Sequence, residues 1–253
     1  MTPSVETFFD PATGTASHLV VEPNGRCCAI VDPVLDYDAA SGRTRTVSAE
    51  RIVATVLERG LEVAWILETH AHADHIMGLD DVRPFNFHQS GAIPIYASPE
   101  TLASIQNCFR YIFNGVPTES SLPKIEARLM TGEPFDLFGR TCTPVPLSHG
   151  KGSVFGFRFG RLAYLTDHSE IPEESLAKLQ GLDVLFLDAL RHRPHPTHTT
   201  VARALDYAQP PPPRLVAIGG LSGTGKSTLA ALLAARFGAV PGALHLRSDL
   251  ERK

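Results

Sequence analysis

The stretch that most constrains this chain is Thr69-His70-Ala71-His72-Ala73-Asp74-His75, where three histidines and a carboxylate fall within six residues. It directly follows an apolar run, Val63 to Leu67, that reads as a buried strand. Alternate residues of an extended segment point to one side, so His70 and His72 can share a metal. Asp74 and His75 come where a turn into a helix can aim them at a second metal. Imidazole nitrogen and carboxylate oxygen suit zinc, manganese or iron. A fold built around such a cluster must present a strand end and the loop behind it as its working face.

Two further residues share that setting. His149 ends the predicted strand Thr141–Leu147 with its Ser148-His149-Gly150 exit, and Asp167 follows the predicted strand Leu162–Thr166. Folding can bring these strand ends to one sheet edge. A carboxylate between two metals can bridge them at about 3.5–4 Å, the spacing of two-metal hydrolases.

The remaining pattern predicts an α/β protein. Strands are expected at 17–22 and 27–32, joined by a Pro23-Asn24-Gly25 turn. A helix capped by Ser48 is expected to run to a C′ glycine at Gly60, with an apolar stripe of Ile52, Val53, Val56 and Leu57. Ile93–Ala97 reads as a strand, and Ser98-Pro99-Glu100 opens a helix expected to run to about Phe113. Residues 114–134, rich in turn formers, read as a long connection. Strands are expected at 135–138, 141–147, 154–159, 162–166 and 184–187. A helix opens at Pro172-Glu173-Glu174 and stops at Gly181; another, capped by Thr199 or Thr200, reaches about Ala208. Hairpins first, then strands alternating with helices, predict two sheets with helices packed outside.

Length allows one large domain or one and a fragment, at roughly 150 residues per domain. A net charge of −4 supplies no basic footprint for nucleic acid. No apolar run approaches the ~20 residues of a membrane helix. The N-terminus lacks the basic and apolar regions of a signal peptide. Cys27, Cys28, Cys108 and Cys142 show no C-x-x-C spacing, and free thiols in an unexported chain predict a cytoplasmic location.

These residues resemble the metallo-β-lactamase superfamily: H-x-H-x-D-H stands at His70, His72, Asp74 and His75, with His149 and Asp167 following. The resemblance covers roughly residues 5–208 and implies an αββα sandwich. Phe8-Phe9-Asp10-Pro11, Ile30-Val31-Asp32-Pro33 and Glu68-Thr69-His70 resemble the persulfide dioxygenase and glyoxalase II-like branch. Gly78-Leu79-Asp80-Asp81-Val82-Arg83-Pro84-Phe85-Asn86 and Asp188-Ala189-Leu190-Arg191 resemble the phosphoribosyl cyclic phosphate phosphodiesterase branch.

That second branch implies a substrate-contacting histidine in the loop after strand 184–187. It falls on His198 of His195-Pro196-Thr197-His198, an imidazole able to donate a proton near pH 7. The implied activity is hydrolysis of a small cyclic or other phosphate ester by a metal-activated water, with Zn2+ or Mn2+ at two sites. Asp74 would orient the nucleophile. The alternatives are mononuclear Fe2+ chemistry on a persulfide, a nucleotide-binding module, or a composite chain with little activity.

Both branches carry one more metal-binding histidine on a strand after the last helix. This chain runs instead through a proline linker at 209–213 into Gly220, Gly223, Gly225, Lys226, Ser227 and Thr228. These match the P-loop spacing, whose backbone amides cradle the phosphates of ATP with Mg2+ on the serine. Residues 214–253 resemble the opening of a P-loop small-molecule kinase. Leu215–Ile218 is expected to fill the strand slot of the missing histidine, placing Gly219 or Gly220 at its position. One metal would then keep His70, His72, His149 and Asp167, and the other Asp74, His75 and Asp167.

Overall fold

The computed structural model describes residues 3–10, 15–38, 41–116, 118–119, 121–208 and 215–219, with the backbone alone described at 73–74 and 215–219. The proline linker and the P-loop residues Gly220, Gly223, Gly225, Lys226, Ser227 and Thr228 lie outside the described residues. The chain divides into two compact units, Met1–Thr131 and Gly132–Lys253.

In the first unit the elements follow as β1 (Ser4–Phe9), β2 (Ala16–Val21), β3 (Cys27–Val31), a short β4–β5 hairpin (Asp36–Asp38, Arg43–Arg45), α1 (Val47–Glu58) and β6 (Glu62–Leu67). Then come α2 (Ala73–Ile76), a 3-10 turn at Met77–Val82, α3 (Arg83–His88), β7 (Ile93–Ala97), α4 (Pro99–Cys108), α5 (Arg110–Phe113) and β8 (Ile125–Leu129). The six-stranded sheet runs β1-β2-β3-β6-β7-β8. Its first three strands form an antiparallel meander; β3, β6, β7 and β8 are mutually parallel. Their C-terminal ends therefore share one edge. The expected turn between β2 and β3 forms at Asn24, with φ of 58°.

Several expectations need correction. The α1 N-cap is Thr46, not Ser48, whose N–H is taken by the Asp36 carboxylate at 2.9 Å. Ile52 and Val56 are buried as expected, but Leu57 is exposed; Ile52→Ala would cost about 2–5 kcal/mol. The helix from Ser98 breaks at Phe109, where ψ is 38°, into α4 and α5. Ser98 does cap it, accepting the Thr101 N–H at 3.1 Å. The connection 114–134 contains β8, whose Ile125 and Ala127 pack on the core while Glu126 and Leu129 face outward. β1 was not expected either; only Phe8 of its six residues is buried.

In the second unit the order is β9 (Phe135–Leu137), β10 (Arg140–His149), β11 (Gly152–Phe159), β12 (Leu162–Leu165), α6 (Glu173–Ala177), β13 (Val184–Asp188), α7 (Val201–Tyr207) and β14 (Leu215–Gly219). The sheet runs β14-β13-β12-β11-β10-β9, with β12, β13 and β14 parallel. Strand β11 is antiparallel to both β10 and β12, so β10 ends at the edge where β12 and β13 end. Gly156 is required in β11, since a Cβ there would lie 2.8 Å from the Tyr164 carbonyl oxygen. The helix expected to reach Gly181 stops at Ala177. Thr200 is the cap of α7, accepting from the Arg203 N–H at 3.2 Å, while Thr199 donates to the His168 carbonyl at 2.6 Å. The strand expected at Leu215–Ile218 forms as β14 and pairs with β13, with Gly219 opposite Asp188.

One buried group couples the first sheet to pH. His18 of β2 is 4% exposed, with Nδ1 2.9 Å from the Thr7 hydroxyl oxygen. Burial lowers its pKa to about 4, only partly opposed by Asp32. Below pH ~6.5 the unfolded chain takes up a proton that the folded chain refuses until about pH 4. This contribution is complete above pH ~6.5 and is lost as pH falls toward 4, roughly 3 kcal/mol in all. Denaturant unfolding at pH 7.0 and 4.5 should therefore show a smaller pH penalty for His18→Asn than for wild type; equal penalties would contradict it.

Candidate functional site

In the first unit the site grows from the shared end of β3 and β6, where Val31 pairs with Leu67. The next residue on each strand is an acid, and both are fully buried: Asp32 and Glu68. Asp32 takes φ of 48°, and its carboxylate turns onto the loop after β6. One oxygen accepts the Thr69 N–H and the other the Thr69 hydroxyl, both at 2.8 Å. The second oxygen also lies 3.1 Å from Nδ1 of His75. Burial alone would raise the Asp32 carboxyl; the charge and contact of His75, with the Thr69 N–H, outweigh it and hold it below the usual carboxylate range. Glu68 goes the other way: burial, then the charge of Asp32, push it well above the ordinary value.

This anchoring gathers the histidines. His70, 4% exposed, has Nδ1 3.0 Å from the Thr69 hydroxyl oxygen, and its ring lies 4.5 Å from that of His72 and 4.1 Å from that of His75. The expected turn into a helix is α2, where the His75 and Ile76 amides donate to the His72 carbonyl. Ile76 and Leu79 plug the following turn into the core. Gly78 packs so closely on Pro33 that a Cβ would lie 2.2 Å from its carbonyl oxygen. The donor set fits a divalent metal. With Nδ1 of His70 and His75 held by a hydroxyl and a carboxylate, ligation falls to Nε2, the arrangement in which an outer partner orients a metal-binding histidine. The side chain of Asp74 lies outside the described residues.

In the second unit His149 is the last residue of β10 and 8% exposed. Asp167, with φ of 42°, follows β12 and accepts from the Thr166 hydroxyl at 3.0 Å. Asp188 ends β13, at the same edge. Its carboxylate lies 3.0 Å from Nδ1 of His198, whose ring stands 5.3 Å from that of His149 at 89°. Burial raises the Asp188 carboxyl and the contact with His198 opposes it.

Sequence reasoning found the histidines but gave Asp32, Glu68 and Asp188 no role. The signal was there: each acid directly follows or ends an apolar strand, as Asp167 does, Asp32 and Glu68 at one edge of the first sheet and Asp188 at that of the second. If Asp32 orients the first cluster, Asp32→Asn should weaken metal binding about 10–100-fold, measured by competition with a chromogenic chelator. Unchanged affinity would remove Asp32 from the site.

The beta-lactamase superfamily domain matches residues 29–218 of the chain. A probable metallo-hydrolase of Burkholderia pseudomallei (strain 1710b) is 42% identical over 114 residues, 45% of this chain and 37% of that protein. The mitochondrial persulfide dioxygenase of Bos taurus is 32% identical over 71 residues, 28% of this chain and 24% of that one. The chain thus spans well under half the length of these curated relatives. A solved structure of a diphosphatase from the PhnP family superposes with a TM-score of 0.68 at 32% identity, covering 93% of this chain and 84% of that one. No helix among the described residues is long and apolar enough to cross a membrane. Matched over most of its length, the chain belongs to the metallo-β-lactamase superfamily.

Proposed function

We propose that the protein is a metal-dependent phosphodiesterase acting on a small cyclic or other phosphate ester. The observation that carries this reading is the His198–Asp188 couple, 3.0 Å apart, set beside His149. A carboxylate can only accept, so His198 presents its proton to Asp188 from Nδ1 and is left to work through Nε2. When that nitrogen is protonated, the buried Asp188 carboxylate stabilises the imidazolium, and Nε2 can pass its proton to the departing alcohol oxygen. The likeness to the diphosphatase supports a phosphate ester as substrate.

His70, His72, Asp74, His75, His149 and Asp167 are the residues assigned to metal binding, with Asp74 also orienting the nucleophile. Bound there, zinc or manganese supplies a water acidified toward neutral pH and positive charge for the developing oxyanion. The αββα layering expected from the sequence belongs to this reading as well. Gly219, opposite Asp188 on β14, stands for the missing last histidine. Glycine has no side chain to offer, so the second metal would be held less tightly than the first.

The bovine persulfide dioxygenase likeness favours a second reading, mononuclear iron chemistry on a persulfide. That chemistry needs no proton donor to a leaving alcohol and gives the His198–Asp188 couple no task. Oxygen consumption with glutathione persulfide by an iron-loaded chain would decide for it. The P-loop spacing is a separate proposal, a phosphate cradle for ATP with Mg2+ at Gly220–Thr228. Lys226→Ala should abolish nucleotide binding there, and an unchanged affinity would refute it.

The main reading is tested with bis(p-nitrophenyl) phosphate. Hydrolysis should stop on chelation and return with zinc or manganese. His198→Ala should lower kcat by about 10²–10⁴-fold with metal content unchanged. A variant as active as wild type would overturn the role of His198.

A further inference from the structure

We infer that His195 is a second substrate-contacting histidine, a fixed Nε2–H donor to a phosphoryl oxygen beside His198. The inference rests on the phosphate-ester reading and deepens it. His195 is half-buried, and its ring lies 5.1 Å from that of His198. Its Nδ1 faces the backbone N–H of Thr197 at 3.4 Å and the Thr197 hydroxyl at 3.2 Å. A backbone N–H can only donate, so Nδ1 of His195 accepts and the ring proton sits on Nε2. His198 is oriented the opposite way, with Nδ1–H on Asp188. Two neighbouring imidazoles thus carry opposite tautomers. One is built to move a proton, the other to hold a charge.

The loop that carries them is braced for this. Arg191 donates through Nε to the Arg193 carbonyl at 3.3 Å and through Nη2 to the Pro194 carbonyl at 3.0 Å, closing the turn before His195. The Leu190 and Val201 amides tie its two ends to Thr199 and Arg191. Thr197 packs over Gly150, whose φ is 63°; a Cβ there would come within 3.0 Å of the Thr197 methyl carbon. The loop is therefore seated directly on the residue after His149. Burial, then His198 and Arg191, hold the His195 ring below the ordinary imidazole range, keeping it neutral at pH 7. A neutral donor of fixed tautomer binds an anionic oxygen without competing for the proton that His198 transfers.

The test is calorimetric titration of the metal-loaded full chain with inorganic phosphate, for wild type, His195→Phe and His195→Gln. His195→Phe keeps the ring and loses the donor, so affinity should fall about tenfold. In His195→Gln the amide nitrogen takes the place of Nε2, so affinity should return to near the wild-type value. Metal content and thermal midpoint should match in all three. Unchanged affinity in His195→Phe overturns the inference, as does an equal loss in His195→Gln, or no phosphate binding by wild type. Each of these leaves the His198 turnover result standing or falling on its own.

Discussion

The contact on which the first unit's site depends is the grip of one fully buried carboxylate, Asp32, on the loop after β6. Three partners meet it: the Thr69 amide, the Thr69 hydroxyl and His75. A buried charge is tolerated only when it is paired and hydrogen-bonded, and removing a partner from such a pair typically costs about 3–5 kcal/mol. The same bonds that make Asp32 tolerable set where His70 and His75 point. Parallel pairing of β3 and β6 makes this possible, because it brings Asp32 and the histidine loop to one edge although 37 residues separate Asp32 from Thr69.

The second unit repeats the device. Strands β10, β12 and β13 end at one edge, delivering His149, Asp167 and Asp188. The loop 189–200 is then laid over that edge by its own hydrogen bonds and brings His195 and His198 together. In both units the sheet's direction places the chemistry, and short loops with positive-φ residues such as Asp32 and Asp167 aim it.

Much of this was legible in the sequence. The histidine spacing, the apolar strands before it and the strand-end acids are local patterns, read directly. What was missed is non-local or shallow. β1 and β8 are edge strands with mostly exposed side chains, so they carry little apolar periodicity. Ser48 looked like a cap because serine suits that position; only the fold brings Asp36 to its amide. Asp32 sits 38 residues before His70, and nothing local announces that the two belong together. Asp188 was quoted only as part of a family motif, although ending a buried strand beside Asp167 marked it. Strand β14 was legible because Leu215–Ile218 is an apolar run of the right length; its pairing with β13 came only with the fold.

The central proposal is a hydrolytic metal centre whose last ligand position would fall on glycine, Gly219 or Gly220, in place of a histidine. Metal identity and stoichiometry, by inductively coupled plasma mass spectrometry on the purified full chain after gel filtration, test it most directly. The account predicts zinc or manganese, with one equivalent retained through desalting and a second bound only when metal is supplied. Iron as the retained metal, two tightly held equivalents, or no metal at all would contradict it.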